Sequence, residues 1–67
     1  MKDQVLWRKN ARIIMMLANR LAADPTDAMD IFYNSHTYSL LTNPDSGLQL
    51  QSDEFILNDI LAEIGAS

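Results

Sequence analysis

A single histidine, His36, stands among hydroxyl side chains, with Ser35, Thr37 and Ser39 as near neighbours. A hydroxyl nucleophile beside an imidazole base is half of a catalytic triad, and an orienting acid completes it. The spacing argues against that chemistry. Adjacent residues on a helix do not face each other. Catalysis also needs a concave pocket that excludes water, which a chain of 67 residues rarely builds alone. His36 therefore reads as a surface histidine next to a helix N-cap, and no enzyme is expected. Two pairs of carboxylates have helical spacing: Asp27 with Asp30, and Asp59 with Glu63. Each pair shares one helix face. Binding a metal through such pairs recruits a Glu-x-x-His motif or further carboxylates, and neither is present. With no cysteine and one histidine, zinc motifs are excluded. The expectation is no metal, no cofactor and no small-molecule ligand, with the acids forming solvated faces that answer basic residues elsewhere.

The best-patterned polar feature is basic. Arg8 and Arg12 are four residues apart, Arg20 continues the row with some drift, and Lys9 lies beside them. Such a row can neutralise phosphates. Two facts oppose that use. The chain is acidic as a whole, with a pI near 4.5, and the helix expected after the first turn carries Asp27 and Asp30, which phosphate repels. Nucleic-acid binding is the second reading.

The charges are segregated along the chain. The formal net charge is -4. Residues 1–22 hold all five basic side chains and one acid, a net +4, whereas residues 23–67 hold eight acids and neither Lys nor Arg, a net -8. Packing of the two parts against each other is the simplest outcome, and each surface pair in it is worth little. Hydrophobic residues make up 48% of the chain and charged residues 21%, which excludes an intrinsically disordered composition. No apolar run is long enough to span a bilayer. The opening Met1-Lys2-Asp3-Gln4 leads into a segment broken by Arg8, Lys9, Asn10 and Arg12, which is not the pattern of a secretory signal. A cytoplasmic protein of one domain, residues 1–67, is expected.

The elements that must position these residues are helical. Residues 3–23 contain no Gly or Pro and many good helix formers. At about 100° per residue, Leu6, Trp7, Ala11, Ile13, Ile14, Met15, Leu17, Ala18, Leu21 and Ala22 fall in one arc of roughly 200°, with Asn10 as its only polar member. Met15 sits at the edge of that arc as filling. Met16 falls among the arginines with Val5. Asp24-Pro25-Thr26-Asp27 ends this helix and starts a second, with Asp24 as N-cap and Pro25 at the first helical position. The second helix runs to about Asn34. Ser35 caps a short third helix to about Thr42 that buries Tyr38 and Leu41. Asn43-Pro44-Asp45-Ser46-Gly47 is a turn. Leu48-Gln49-Leu50-Gln51 alternates apolar and polar residues and is expected to be extended. Ser52 caps the last helix, whose core stripe is Ile56, Leu57, Ile60, Leu61 and Ile64, and Gly65 stops it. Phe55 points away from that stripe, either back onto residues 48–50 or outward as a contact residue. The fold class is all-α: a small bundle of three to four helices with a short extended segment before the last.

The run Ser35-x-Thr37-Tyr38-x-x-Leu41, then Gly47-Leu48, Ser52-x-x-Phe55-Ile56 and Asp59-Ile60-Leu61-x-Glu63 resembles a group of short bacterial proteins filed as domains of unknown function, many from gut bacteria. The resemblance covers residues 27–63, and its motifs are capping, turn and core residues. It implies a small helical protein without an assigned activity. Some members of similar groups are encoded beside predicted toxins of the ADP-ribosyltransferase type, which implies an antitoxin-like or accessory role.

An apolar arc of roughly 200° is wider than one neighbouring helix covers, and domains this small struggle to bury so much alone. The leading expectation is a non-enzymatic protein–protein interaction module, either a homo-oligomer or the small partner of a larger protein. The expected contact residues are Trp7, Arg8, Arg12, Met15, Met16 and Phe55.

Overall fold

The computed structural model describes residues 2–65, and side chains from residue 8 to residue 65. Four helices follow in chain order: α1 Lys2–Leu21, α2 Pro25–Tyr33, α3 His36–Leu41 and α4 Asp53–Glu63. Two single 3-10 turns, Pro44–Ser46 and Leu48–Leu50, join α3 to α4. No strand occurs among the described residues, so the fold is an all-α bundle.

The helix boundaries follow from local chemistry. Ser35 Oγ accepts the Tyr38 N–H at 3.0 Å and donates to the Phe32 carbonyl at 2.6 Å, so one hydroxyl both starts α3 and closes the end of α2. Ser52 Oγ accepts the Phe55 N–H at 3.1 Å and starts α4. Both are N-caps, which satisfy amide groups that lack partners in the first helical turn. Asp24 behaves differently from expectation. Its backbone has the extended geometry of an N-cap, but its side chain makes no capping bond. Pro25 at the first position lacks an N–H, and the Ala28 N–H is taken by the Asp24 carbonyl at 3.0 Å.

Residues 48–50 are not extended. They form a 3-10 turn in which the Leu50 N–H bonds the Gly47 carbonyl and the Gln51 N–H bonds the Leu48 carbonyl, both at 3.0 Å. A lone strand in an all-α fold would leave its amides without a ladder, and the tight turn satisfies them locally. Gly47 makes the turn possible by adopting φ 71°. Leu48 is buried and Leu50 is 85% exposed.

The core lies where α1 meets α2 and α4, and α3 closes it by packing on α4. Ile13, Ile14, Leu17 and Ala18 come from α1, Ala28 and Phe32 from α2, Leu41 from α3, and Ile56, Leu57, Ile60 and Leu61 from α4. Phe32, Tyr33 and Tyr38 pack edge to face with centroids 4.8–5.2 Å apart, a favoured aromatic arrangement. Tyr38 is only half-buried, and Ile64, expected in the α4 stripe, is exposed. The Cα radius of gyration is 11.1 Å, close to the value of about 11 Å expected for a folded domain of this length. Asn10 is buried among these apolar neighbours, and its Oδ1 has no hydrogen-bond partner among the described residues.

Two substitutions on one helix separate the two sides of α1. Leu17 has no exposed surface, so Leu17→Ala is expected to cost about 3 kcal/mol through lost burial and a residual cavity. Met15→Ala is expected to change stability by less than about 0.5 kcal/mol, as at an ordinary surface position. Urea denaturation of both variants checks the contrast.

Candidate functional site

The candidate site is the side of α1 that its own fold leaves uncovered. Asn10, Ile13, Ile14, Leu17 and Ala18 are buried, and they span about 140° of the helix. The apolar arc is wider than that. Its remainder within α1, Ala11 and Met15, is exposed, and the two lie within about 40° of each other; Ala22, just past the helix end, is exposed as well. Arg8, Arg12 and Asn19 are also exposed and flank them on the next turns. At the C-terminal end, Met15, Met16, Ala18, Asn19, Ala22, Ala23 and Pro25 line an open groove of about 630 Å³.

The two methionines exchange the roles expected of them. Met15 is 57% exposed, whereas Met16 is half-buried and packs against the core. The packing of α2 and α4 on α1 leaves Met16 at the margin of the core and Met15 outside it. Arg8 is exposed. The side chain of Trp7 lies outside the described residues. Phe55 is 48% exposed and stands on the outward side of α4, opposite that helix's buried residues. The candidate residues therefore belong to two surfaces. Arg8, Arg12 and Met15 share the outward face of α1, and Phe55 belongs to a second one on α4.

The basic residues are only partly available. Asp53, in the first turn of α4, accepts from Lys9 Nζ at 2.9 Å with one oxygen and from Arg12 Nε at 2.7 Å with the other. Lys9 Nζ also donates to the Gln51 carbonyl at 2.8 Å. The Lys9 side chain is only 14% exposed, against 57% for Arg12. Lys9 is thus spent on fastening α4 to α1, while Arg12 uses its Nε and keeps its terminal nitrogens for other contacts. The acid that answers the basic face is Asp53. Asp27, Asp30 and Asp59 form no ion pair among the described residues.

Glu63 has a role that its spacing from Asp59 does not suggest. Its carboxylate accepts the His36 N–H at 2.6 Å, the Thr37 N–H at 3.0 Å and the Thr37 hydroxyl at 2.8 Å. A residue at the end of α4 thereby caps the start of α3, where the helix dipole favours negative charge. These bonds, the His36 N–H first, hold the Glu63 carboxyl below the usual carboxylate range against an opposing desolvation effect. Asp53 is lowered likewise, first by its bond from Arg12 and next by that from Lys9. No cue local to Glu63 announces the cap, because its partners lie 26 and 27 residues away. Among the described residues, no group of three or more His, Asp or Glu side chains is placed to hold a metal ion.

The end of α1 is strained next to the groove. The Ala23 N–H bonds the Ala18 carbonyl at 2.9 Å and the Ala22 N–H the Asn19 carbonyl at 3.3 Å, the two bonds of a Schellman motif. That motif places its closing residue in the left-handed region, where glycine is usual. Here the residue is Ala22, at φ 53°. By contrast, α4 ends on Gly65 at φ 75°. The Ala22 methyl lines the groove at the cost of backbone strain.

Comparison with family models, with curated protein sequences and with solved structures finds no match to this chain.

Two outcomes follow from this geometry. Ala22→Gly is expected to raise stability by about 1 kcal/mol by relieving the left-handed strain, measured by urea denaturation. The lowered Asp53 and Glu63 carboxyls stabilise the native state at pH values above their unfolded pKa of about 4. That contribution is lost as pH falls through their lower native values. Asp53→Asn combined with Glu63→Gln is expected to be less stable than the wild type near neutral pH. It should also lose less stability than the wild type between pH of about 7 and about 3, as followed by denaturation at both pH values.

Proposed function

We propose that this protein is a non-enzymatic protein–protein interaction module that binds through the outward face of α1. One observation carries the reading: α1 has more apolar surface than its own fold covers, and the surplus is contiguous. Ala11 and Met15 share one side of the helix, an open groove lined by Met15 and Ala22 continues from them, and Arg8 and Arg12 stand alongside. Methionine suits such a face because its flexible, polarisable side chain adapts to a partner's shape. The module acts either as a homo-oligomer or as a small accessory partner of a larger protein. The antitoxin-like version of the second role rests on the sequence resemblance. Cytoplasmic residence belongs to the same reading, and no described helix is long and apolar enough to cross a membrane.

Nucleic-acid binding is the second reading, and the exposure of Arg8, Arg12 and Arg20 favours it. Against it, Lys9 is withdrawn into its contact with Asp53, and the centre of the face is apolar.

The test compares the immobilised wild type with Met15→Asp in a lysate of the source organism, with and without nuclease, alongside sedimentation of the free chain. Met15 is exposed, so the variant is expected to keep a helical circular-dichroism spectrum. Near-stoichiometric capture or self-association that resists nuclease and is lost in Met15→Asp is the expected result. Capture that disappears with nuclease moves the assignment to nucleic acid. A monomer that captures nothing overturns both readings.

A further inference from the structure

Resting on that interaction reading, we infer that the occupant of the α1 face is an acidic amphipathic helix of another protein. Three features point to this chemistry. The first is spacing. Arg8, Arg12, Met15 and Asn19 are exposed on α1 at separations of four, three and four residues. This is the repeat by which one helix presents a continuous seam to another. A strand or an extended peptide has no matching period.

The second feature is charge. From residue 4 to residue 23 the chain contains no Asp or Glu, so the seam has no acid of its own on the described part of α1. Arg8 is exposed, and Arg12 is engaged only through its Nε. A guanidinium with free terminal nitrogens pairs best with a carboxylate, through bonds that are charge-assisted and directional. The net -8 of residues 23–67 does not neutralise this end of the seam. Of those acids only Asp53 reaches the basic face among the described residues, and it takes Lys9 and one edge of Arg12.

The third feature is the division of the seam along its length. Its N-terminal half, Arg8 and Arg12, is charged. Its C-terminal half, from Met15 to the groove formed with Ala22, Ala23 and Pro25, is apolar. The two halves are centred about 15 Å apart along the axis. The partner helix therefore carries carboxylates at one end of its contact face and a large apolar side chain two to three turns away, seated in the groove. The small side chain of the exposed Ala11 beside the seam lets the backbones approach closely. A phosphate backbone would satisfy the arginines and leave the apolar half against water. A second copy fits less well, because α4 places its exposed Phe55 opposite that helix's core residues, on a surface separate from the α1 face.

The test observes the methionine methyl signals of the full chain, isotope-labelled, by NMR. Two synthetic amphipathic peptides of about five helical turns are titrated in. They share leucines at heptad spacing and differ only in flanking residues, glutamate in one and lysine in the other. A duplex DNA is titrated separately. The expected result is a saturable shift of Met15 with the glutamate peptide and none at Met29, with binding weakened at least tenfold by Arg8→Glu through like-charge opposition. Arg8 is exposed, so that variant keeps its fold. Equal response to both peptides, response to neither, or response to DNA alone overturns the inference. A Met15 shift that grows with protein concentration and no peptide assigns the face to a second copy, and overturns it as well. The interaction reading survives any of the peptide failures if lysate capture still depends on Met15, so the two conclusions fail separately.

Discussion

The coverage of α1 is the constraint on which the rest of the structure depends. A helix of 20 residues is about 30 Å long, and the longest extent of the molecule is 31 Å. It must be covered by helices of nine, six and eleven residues, none of which matches its length. Two of them, α2 and α4, pack against it, and its buried residues span about 140° of its surface. The apolar pattern of α1 extends further than that. Ala11 and Met15 are what remains exposed on the helix, and the proposed partner covers that remainder.

Short helices need fastening, and two carboxylates supply it. α4 is held at its start by Asp53, which joins Lys9 and Arg12 of α1, and at its end by Glu63, which caps α3. Both contacts use an acid where a helix N-terminus also favours negative charge. Individually they are surface interactions of modest worth. Their effect is positional. The Asp53 contact fastens the start of α4 to the Lys9 and Arg12 side of α1. It also withdraws Lys9 from the surface, which reduces the basic row to Arg8, Arg12 and Arg20.

Much of this was legible in the sequence wherever the deciding chemistry is local. Ser35 and Ser52 declare their helix starts, Pro25 and Gly65 mark a start and an end, and four of the five residues assigned to the α4 core stripe are buried. The departures occur where the deciding partner is distant. Met15 lies at one edge of a broad apolar arc and Met16 beyond the other, among the arginines, and the placement of α2 and α4 decides which of them is covered. Leu48-Gln49-Leu50-Gln51 has a strand's alternation but no neighbouring strand to pair with, so its amides close a 3-10 turn instead. The bond from Glu63 to α3 spans 26 and 27 residues, beyond any local pattern. In the candidate site, the exposure of Arg8 and Arg12 on the polar side of α1 was legible, whereas Met15, read as filling at the edge of the apolar arc, is exposed. The groove and the strained Ala22 were not legible, because both arise from the path of the chain between α1 and α2.

The most direct test of the central claim, that one side of α1 is closed by the fold and the other left open, is the oxidation of its two adjacent methionines. Native protein would be treated with dilute peroxide, and the sulfoxide at each site would be followed by peptide mass spectrometry. Exposure governs the rate, and Met15 is 57% exposed while Met16 packs against the core. The account predicts that Met15 oxidises well ahead of Met16 in the folded protein and at the same rate in denaturant. Equal protection of the two methionines in the native state would contradict it.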